Sequence, residues 1–229
     1  MRPGAVVATL ALLVLLTTAH DPPQAQGFKF SQPDAEAKAE EEARADRIAQ
    51  ELSTPCRADL KGKKIMVVIG ERVNGVVNAQ QQRYSQHFQA INMRLRSLGL
   101  TTFTQEEIRR QIAQAEIDAY FRNDPDAALS ASKRLGASFV LRGLISADAM
   151  SNRLIPVNQV SVNMGFTLTG ANGRIVSDVN AHSDSYAGAD VGRMALVLVN
   201  EQADEVVAKL YADYCRNAGL GAAKAPARN

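Results

Sequence analysis

The chain carries three histidines, His20, His87 and His182, and two cysteines, Cys56 and Cys215. Imidazole and thiolate are common zinc ligands, and imidazole is the side chain best placed to move protons near neutral pH. No pair among these residues has metal-ligand spacing, and two cysteines alone make no metal site. There is no Gly-x-Ser-x-Gly elbow and no P-loop, and Gly70-Glu71 with Asn74-Gly75 does not complete a dinucleotide fingerprint. Glu106-Glu107 reads as solvated charge in a first helical turn, where carboxylates complement the backbone dipole. One polar set remains: Asn163, Asp178, Asn180, His182 and Asp184. Alternation puts all five on the water-facing side of a hairpin. The plain reading is a wet sheet face, and the functional reading is a protein-binding surface. Nothing in the pattern encloses a substrate. The expectation is a protein that is not an enzyme, with no catalytic, metal or cofactor site.

The start of the chain indicates export. Arg2 precedes an apolar run from Ala5 to Leu16, which is short for a membrane span. Small residues follow at Thr17-Thr18-Ala19, then Asp21-Pro22-Pro23. This pattern reads as a signal peptide over 1–19, with Ala25 as a second cleavage candidate. No cysteine lies there to accept a lipid, so the expected location is the periplasm, without lipidation. No later stretch is long and apolar enough to span a bilayer as a helix. A formal net charge of +2 argues against nucleic acid as a partner. In an exported chain the two cysteines favour a Cys56–Cys215 disulfide over two buried thiols. By the chain-entropy account, closing so long a loop stabilises by about 5 kcal/mol when unstrained.

The elements that would position the polar set follow from periodicity. Residues 20–33 are rich in Pro and Gln and read as flexible. Residues 34–52 are Ala-rich and charged, a helix whose large apolar residues are Ile48 and Leu52. A single α/β domain is expected over 56–215, with a disordered tail over 216–229. Lys63 to Arg72 is a buried strand. Phe88, Ile91, Leu95 and Leu98, continued back to Tyr84, form one helix face ended by Gly99. A short strand over 101–104 leads to a capping box at Thr104 and a helix face of Ile108, Ile112, Ala115 and Ala119. Asn123-Asp124-Pro125 opens another helix, capped by Gly136. Ser138 to Ser146 is the next strand, where Gly143 marks a bulge or a close backbone approach. Val160 to Leu168 alternates apolar and polar. Asn172-Gly173 then predicts a two-residue hairpin loop closed by Ala171 and Arg174. That register sets His182 opposite Asn163 and Asp184 opposite Ser161. A long helix from Asp190 to about Cys215 completes an α+β fold. It is a mixed sheet with helices packed largely on one face, ending in a β-hairpin and a long C-terminal helix.

The stretch Ala131 to Ile145, "ASKRLGASFVLRGLI", resembles the helix-to-strand junction of a superfamily of bacterial envelope proteins. Its members include LpoB, the activator of penicillin-binding proteins, the curli secretion protein CsgG, a flagellar T-ring assembly protein and the N-terminal domain of TolB. The hairpin "FTLTGANGRIVS" is similar to a strand pair of the same superfamily. The resemblance implies a mixed sheet with helices largely on one face. It also implies a non-enzymatic role: docking on an envelope partner, such as a penicillin-binding protein or an assembly component, or self-assembly as a homo-oligomer. Two features depart from LpoB and CsgG, namely the missing lipid-anchor cysteine and the short segment before the helix. A pore is not expected, because the face Ser177, Val179, Ala181, Ser183, Ser185 is not apolar enough to meet lipid.

Overall fold

The computed structural model describes residues 35–73, 75–79, 81, 85–122, 124–151, 157–187 and 190–218. The expected signal peptide, the segment 20–33, His20, Tyr84 and most of the tail lie outside the described residues. Helices are α1 (Ala35–Leu52), α2 (Arg57–Leu60), α3 (Ser85–Ser97), α4 (Gln105–Gln111), α5 (Gln114–Phe121), α6 (Pro125–Leu135) and α7 (Val191–Asn217). Strands are β1 (Lys64–Val73), β2 (Val76–Asn78), β3 (Thr101–Thr102), β4 (Phe139–Ser151), β5 (Asn158–Gly170) and β6 (Ile175–Ala187). The sheet runs β2-β1-β4-β5-β6, and β3 also pairs with β1. The β1–β4 and β1–β3 pairs are parallel and the rest antiparallel, so the sheet is mixed and the fold is α+β.

One face of the sheet is apolar from edge to edge. Ile65, Val67 and Ile69 of β1 lie in register with Phe139, Leu141 and Gly143 of β4. These continue through Leu168, Phe166 and Met164 of β5 to Val179 and Ala181 of β6. Helix α7 covers this face through Leu198, Val206, Val207, Leu210 and Tyr211, with Leu95 and Leu98 from α3 and its C-terminal turn beside them. At about 1.5–3 kcal/mol for each large apolar side chain buried, this layer is the main source of stability. Gly143 is a close approach and not a bulge: a Cβ there would lie 2.6 Å from the Phe166 ring and 2.7 Å from Ile69.

The opposite face is covered only in part. Helices α4 to α6 lie over β1 and β4, and a Cβ at Gly70 would lie 2.7 Å from the Phe121 ring. At the hairpin end Tyr120, Leu129 and Ser132 also line one cavity with Thr167 and Thr169 of β5, and the same face of the rest of β5 and of β6 stays open. Helices therefore cover most of the apolar face and only part of the other.

Local signals explain most boundaries. The Thr104 hydroxyl accepts the Glu107 N–H at 3.2 Å, and the Glu107 carboxylate accepts the Thr104 N–H at 2.7 Å. Asp124 caps α6 with Pro125 at its first position, and Gly136 ends it in the left-handed region at φ 63°. Two expectations need correction. The single helix expected over Ile108 to Ala119 is broken at Ile112-Ala113, because the Glu116 carboxylate accepts the Ala113 N–H at 3.1 Å and starts α5 afresh. The hairpin loop also has three residues, Ala171 to Gly173, and not two. Gly170 N–H donates to the Arg174 carbonyl at 2.9 Å, and Gly173 takes φ 80°. Thr169 pairs with Ile175 and Leu168 with Ser177, so Val176 is an extra residue. This bulge restores the expected register from Ser177 onward.

The base of the domain is clasped. Cys56 and Cys215 form a disulfide across 159 residues, with Cα atoms 5.8 Å apart. Beside it, the Tyr211 hydroxyl donates to the Thr54 carbonyl and accepts the Cys56 N–H at 3.2 Å. The Lys63 ammonium donates to Asp59 and to the Tyr214 hydroxyl, each at 2.7 Å, and Tyr214 donates to Asp59. The Lys63 hydrogen bond, then that of Tyr214, hold the Asp59 carboxyl below its ordinary range. Burial pulls Lys63 down, but its bonds to Asp59 and Tyr214 outweigh this and hold it above its ordinary range. A carboxyl depressed by folding stabilises above its ordinary value of about 4, and that contribution is lost as pH falls through the folded value. Urea unfolding of Asp59→Asn is therefore expected to show a flatter loss of stability below about pH 4 than the parent chain.

Candidate functional site

This second face is built from three long strands in fixed rows, the first of which begins beneath α5, where Arg142 donates to the Tyr120 carbonyl at 3.3 Å. Reading across β4, β5 and β6, the rows are Arg142–Thr167–Asp178, Leu144–Gly165–Asn180, Ser146–Asn163–His182, Asp148–Ser161–Asp184 and Met150–Gln159–Tyr186. All five residues singled out from the sequence stand here, with His182 opposite Asn163 and Asp184 opposite Ser161. Strand alternation forces this: the odd β6 positions that face α7 leave the even ones pointing away.

The side chains are knitted into a network. His182 Nδ1 lies 2.8 Å from Asn163 Oδ1, and its Nε2 lies 2.7 Å from Asp184 Oδ2. Ser161 Oγ donates to the other Asp184 oxygen. Thr167 Oγ1 donates to Asp178 at 3.1 Å, and Asn180 Nδ2 donates to the same carboxylate at 3.4 Å. The Ser161 hydroxyl first, and His182 second, hold the Asp184 carboxyl below its ordinary range.

Serine, histidine and aspartate meet here, but not in the order that nucleophilic catalysis needs. The serine donates to the aspartate, and the imidazole bridges Asn163 and Asp184, so the imidazole is not placed to take the hydroxyl proton. The face is a flat, wet array of ordered acceptors and donors, which suits recognition of another surface. A shallow depression of about 420 Å³ lies over Gly165, lined by Arg72, Leu144, Ser146, Asn163, Asn180 and His182.

Two contributors were missed. Met150 and Tyr186 flank Gln159 at the far end of the face and are 65% and 68% exposed. The hairpin register, extended outward, sets Tyr186 opposite Gln159. Met150 needs the β4–β5 pairing, which sequence alone does not supply. His87 is half-buried on α3, and burial pushes its imidazole below the ordinary range. Among the described residues no group of three His, Cys, Asp or Glu side chains could hold a metal ion. No described helix is long and apolar enough to cross a membrane.

No protein-family model matches the chain, and no curated protein matches it. Several solved structures are similar to it. The PelC dodecamer from Paraburkholderia phytofirmans is 15% identical over 66% of this chain and 88% of that one, with a TM-score of 0.39. The LpoB C-terminal domain from Salmonella enterica is 15% identical over 60% and 93%, with a TM-score of 0.33. Lipoprotein GNA1162 from Neisseria meningitidis is 15% identical over 62% and 99%, with a TM-score of 0.39. One of these structures is an LpoB domain, and at such identity the likeness says nothing of role or partner.

Proposed function

We propose that this chain is an exported, non-catalytic protein of the cell envelope that binds another envelope protein through the open face of β4 to β6. The observation that carries the reading is the ordered polar network from Thr167 to Asp184 on the part of the sheet face that α4 to α6 leave uncovered. Helices α4 to α6 lie over β1, β4 and the hairpin end of β5 and leave the rest of that face free, and Tyr186 and Met150 add exposed apolar area of the kind that anchors interfaces. The reading of residues 1–19 as an export signal supports a partner in the periplasm. The resemblance at Ala131 to Ile145 makes a penicillin-binding protein the first candidate partner, with a secretion or appendage component as the alternative.

Charge reversal at Asp178 and Asp184 is expected to abolish partner binding while leaving circular dichroism and the melting temperature near those of the parent. Both side chains point to solvent, where substitutions shift stability by about 0.5 kcal/mol or less. Binding that survives both reversals sinks the reading. A structural role in a ring or other homo-oligomer is the rival, and sedimentation as a monomer over a wide concentration range argues against it.

A further inference from the structure

Among the described residues β6 pairs with β5 alone, so from Val179 to Asp184, beyond the Val176 carbonyl that accepts from Asn217, its outer edge has no neighbouring strand. A long free edge recruits another strand unless it is blunted or covered. This edge borders a groove of about 610 Å³. Six successive β6 residues, Val179 to Asp184, line it. Successive strand side chains point to opposite faces, so a wall made of six in a row is the strand edge itself. The far wall is one stripe of α1, with Glu40, Glu41, Arg44 and Arg47, and Val206 and Lys209 of α7 form part of the floor.

We infer that this groove takes one extended peptide segment of a partner protein, added to β6 as a further strand. The inference rests on the reading of the chain as a protein-binding module and assigns it a second contact, apart from the open face. Strand addition satisfies the unpaired edge with main-chain hydrogen bonds and leaves side chains to set specificity. The groove is built for a strand without a helix of its own. Helix α1 is held on the outside of α7 by Arg47–Glu205 at 3.2 Å and Arg216–Glu51 at 3.4 Å. A second copy pairing edge to edge would bring its own α7 into the space that α1 fills.

The charges set a direction. The same two ion pairs make α1 run alongside α7 in the same sense. Ser177–Asp213 and Val176–Asn217 make α7 run opposite to β6. Glu40 and Glu41 therefore lie toward Asp184, while Arg44, Arg47 and Lys209 lie toward Val179. A segment antiparallel to β6, the commoner pairing, starts at the acidic end and finishes at the basic end. Its chemistry is about six residues of extended chain, basic at the N-terminus and acidic at the C-terminus.

The test pans a phage-displayed library of random eight-residue peptides on the exported protein, then follows amide hydrogen exchange with the best synthetic peptide bound. The expected result is enrichment of alternating β-branched sequences with Lys or Arg first and Asp or Glu last. The bound peptide slows exchange at edge amides within 179–184 at least tenfold. The Glu41→Arg/Arg44→Glu variant weakens that peptide at least tenfold and favours the reversed order. Failure to enrich any peptide, or protection that maps elsewhere, overturns the proposal. So does a β6 edge already protected without peptide that opens when residues 20–33 are removed, which assigns the groove to the chain's own segment. Protection that rises with protein concentration alone assigns it to a second copy and also overturns the proposal. Asp178 does not line the groove, so loss of partner binding on Asp178→Arg alone tests the open face independently, and either contact can fail without the other.

Discussion

Replacing both Cys56 and Cys215 by alanine is expected to lower the free energy of unfolding by about 2–5 kcal/mol. The bridge spans 159 residues and closes almost the whole described domain. By the chain-entropy account so long a loop puts the effect at the upper end of that range. It also ties the last turns of α7 to the entrance of β1, where Tyr211 and Tyr214 already hold Thr54, Cys56 and Asp59. Both cysteines are almost fully buried, so reductant is expected to act slowly on the native protein and quickly once urea opens it. Urea denaturation of parent and variant measures the difference. A loss under about 1 kcal/mol would mean that the tyrosine and lysine contacts hold the clasp and that the covalent bond adds little.

Phe166→Ala is expected to cost about 3–5 kcal/mol. Its ring is fully buried on the covered face and fills the space that Gly143 leaves on the neighbouring strand. Removing it opens a cavity between Ile69, Gly143 and Val179 that rigid strands cannot close. The reciprocal change, Gly143→Ala, pushes a methyl into the same ring and is expected to cost about 1–3 kcal/mol. Since the two sites touch, Gly143→Ala combined with Phe166→Leu should cost less than the sum of the single changes. Additive losses in a double-mutant cycle would contradict this packing.

How far these features were legible depends on the range of the signal. The apolar face of β5 was plain because Val160 to Leu168 alternates without a fault, and alternation has one solution on a half-buried sheet. The hairpin register was therefore recovered from Ser177 onward even though the loop was misjudged by one residue. Asn172-Gly173 serves a two-residue loop and a three-residue loop alike, because both need a left-handed glycine. The bulge at Val176, which reconciles the two, has no mark in the sequence. The break between α4 and α5 was hidden because Ile108, Ile112, Ala115 and Ala119 keep helical spacing across it. The partial covering of the second face, the place of Met150, and the groove beside β6 depend on contacts between distant residues. The groove depends in particular on Arg47 meeting Glu205, 158 positions away. The five-residue polar set was recoverable since every member lies within one strand pair.

The open face is proposed to meet another envelope protein. The most direct measurement places a photo-crosslinking amino acid at position 182, on that face, and separately at position 89, on the exposed side of α3, in cells that export the chain. The account expects a covalent adduct with one envelope protein from position 182, none from position 89, and loss of the adduct when Asp178 and Asp184 are reversed. A penicillin-binding protein in that adduct would support the activator reading, and a secretion or appendage subunit would support the assembly reading. Equal crosslinking from both positions, or an adduct that survives the reversals, would contradict it.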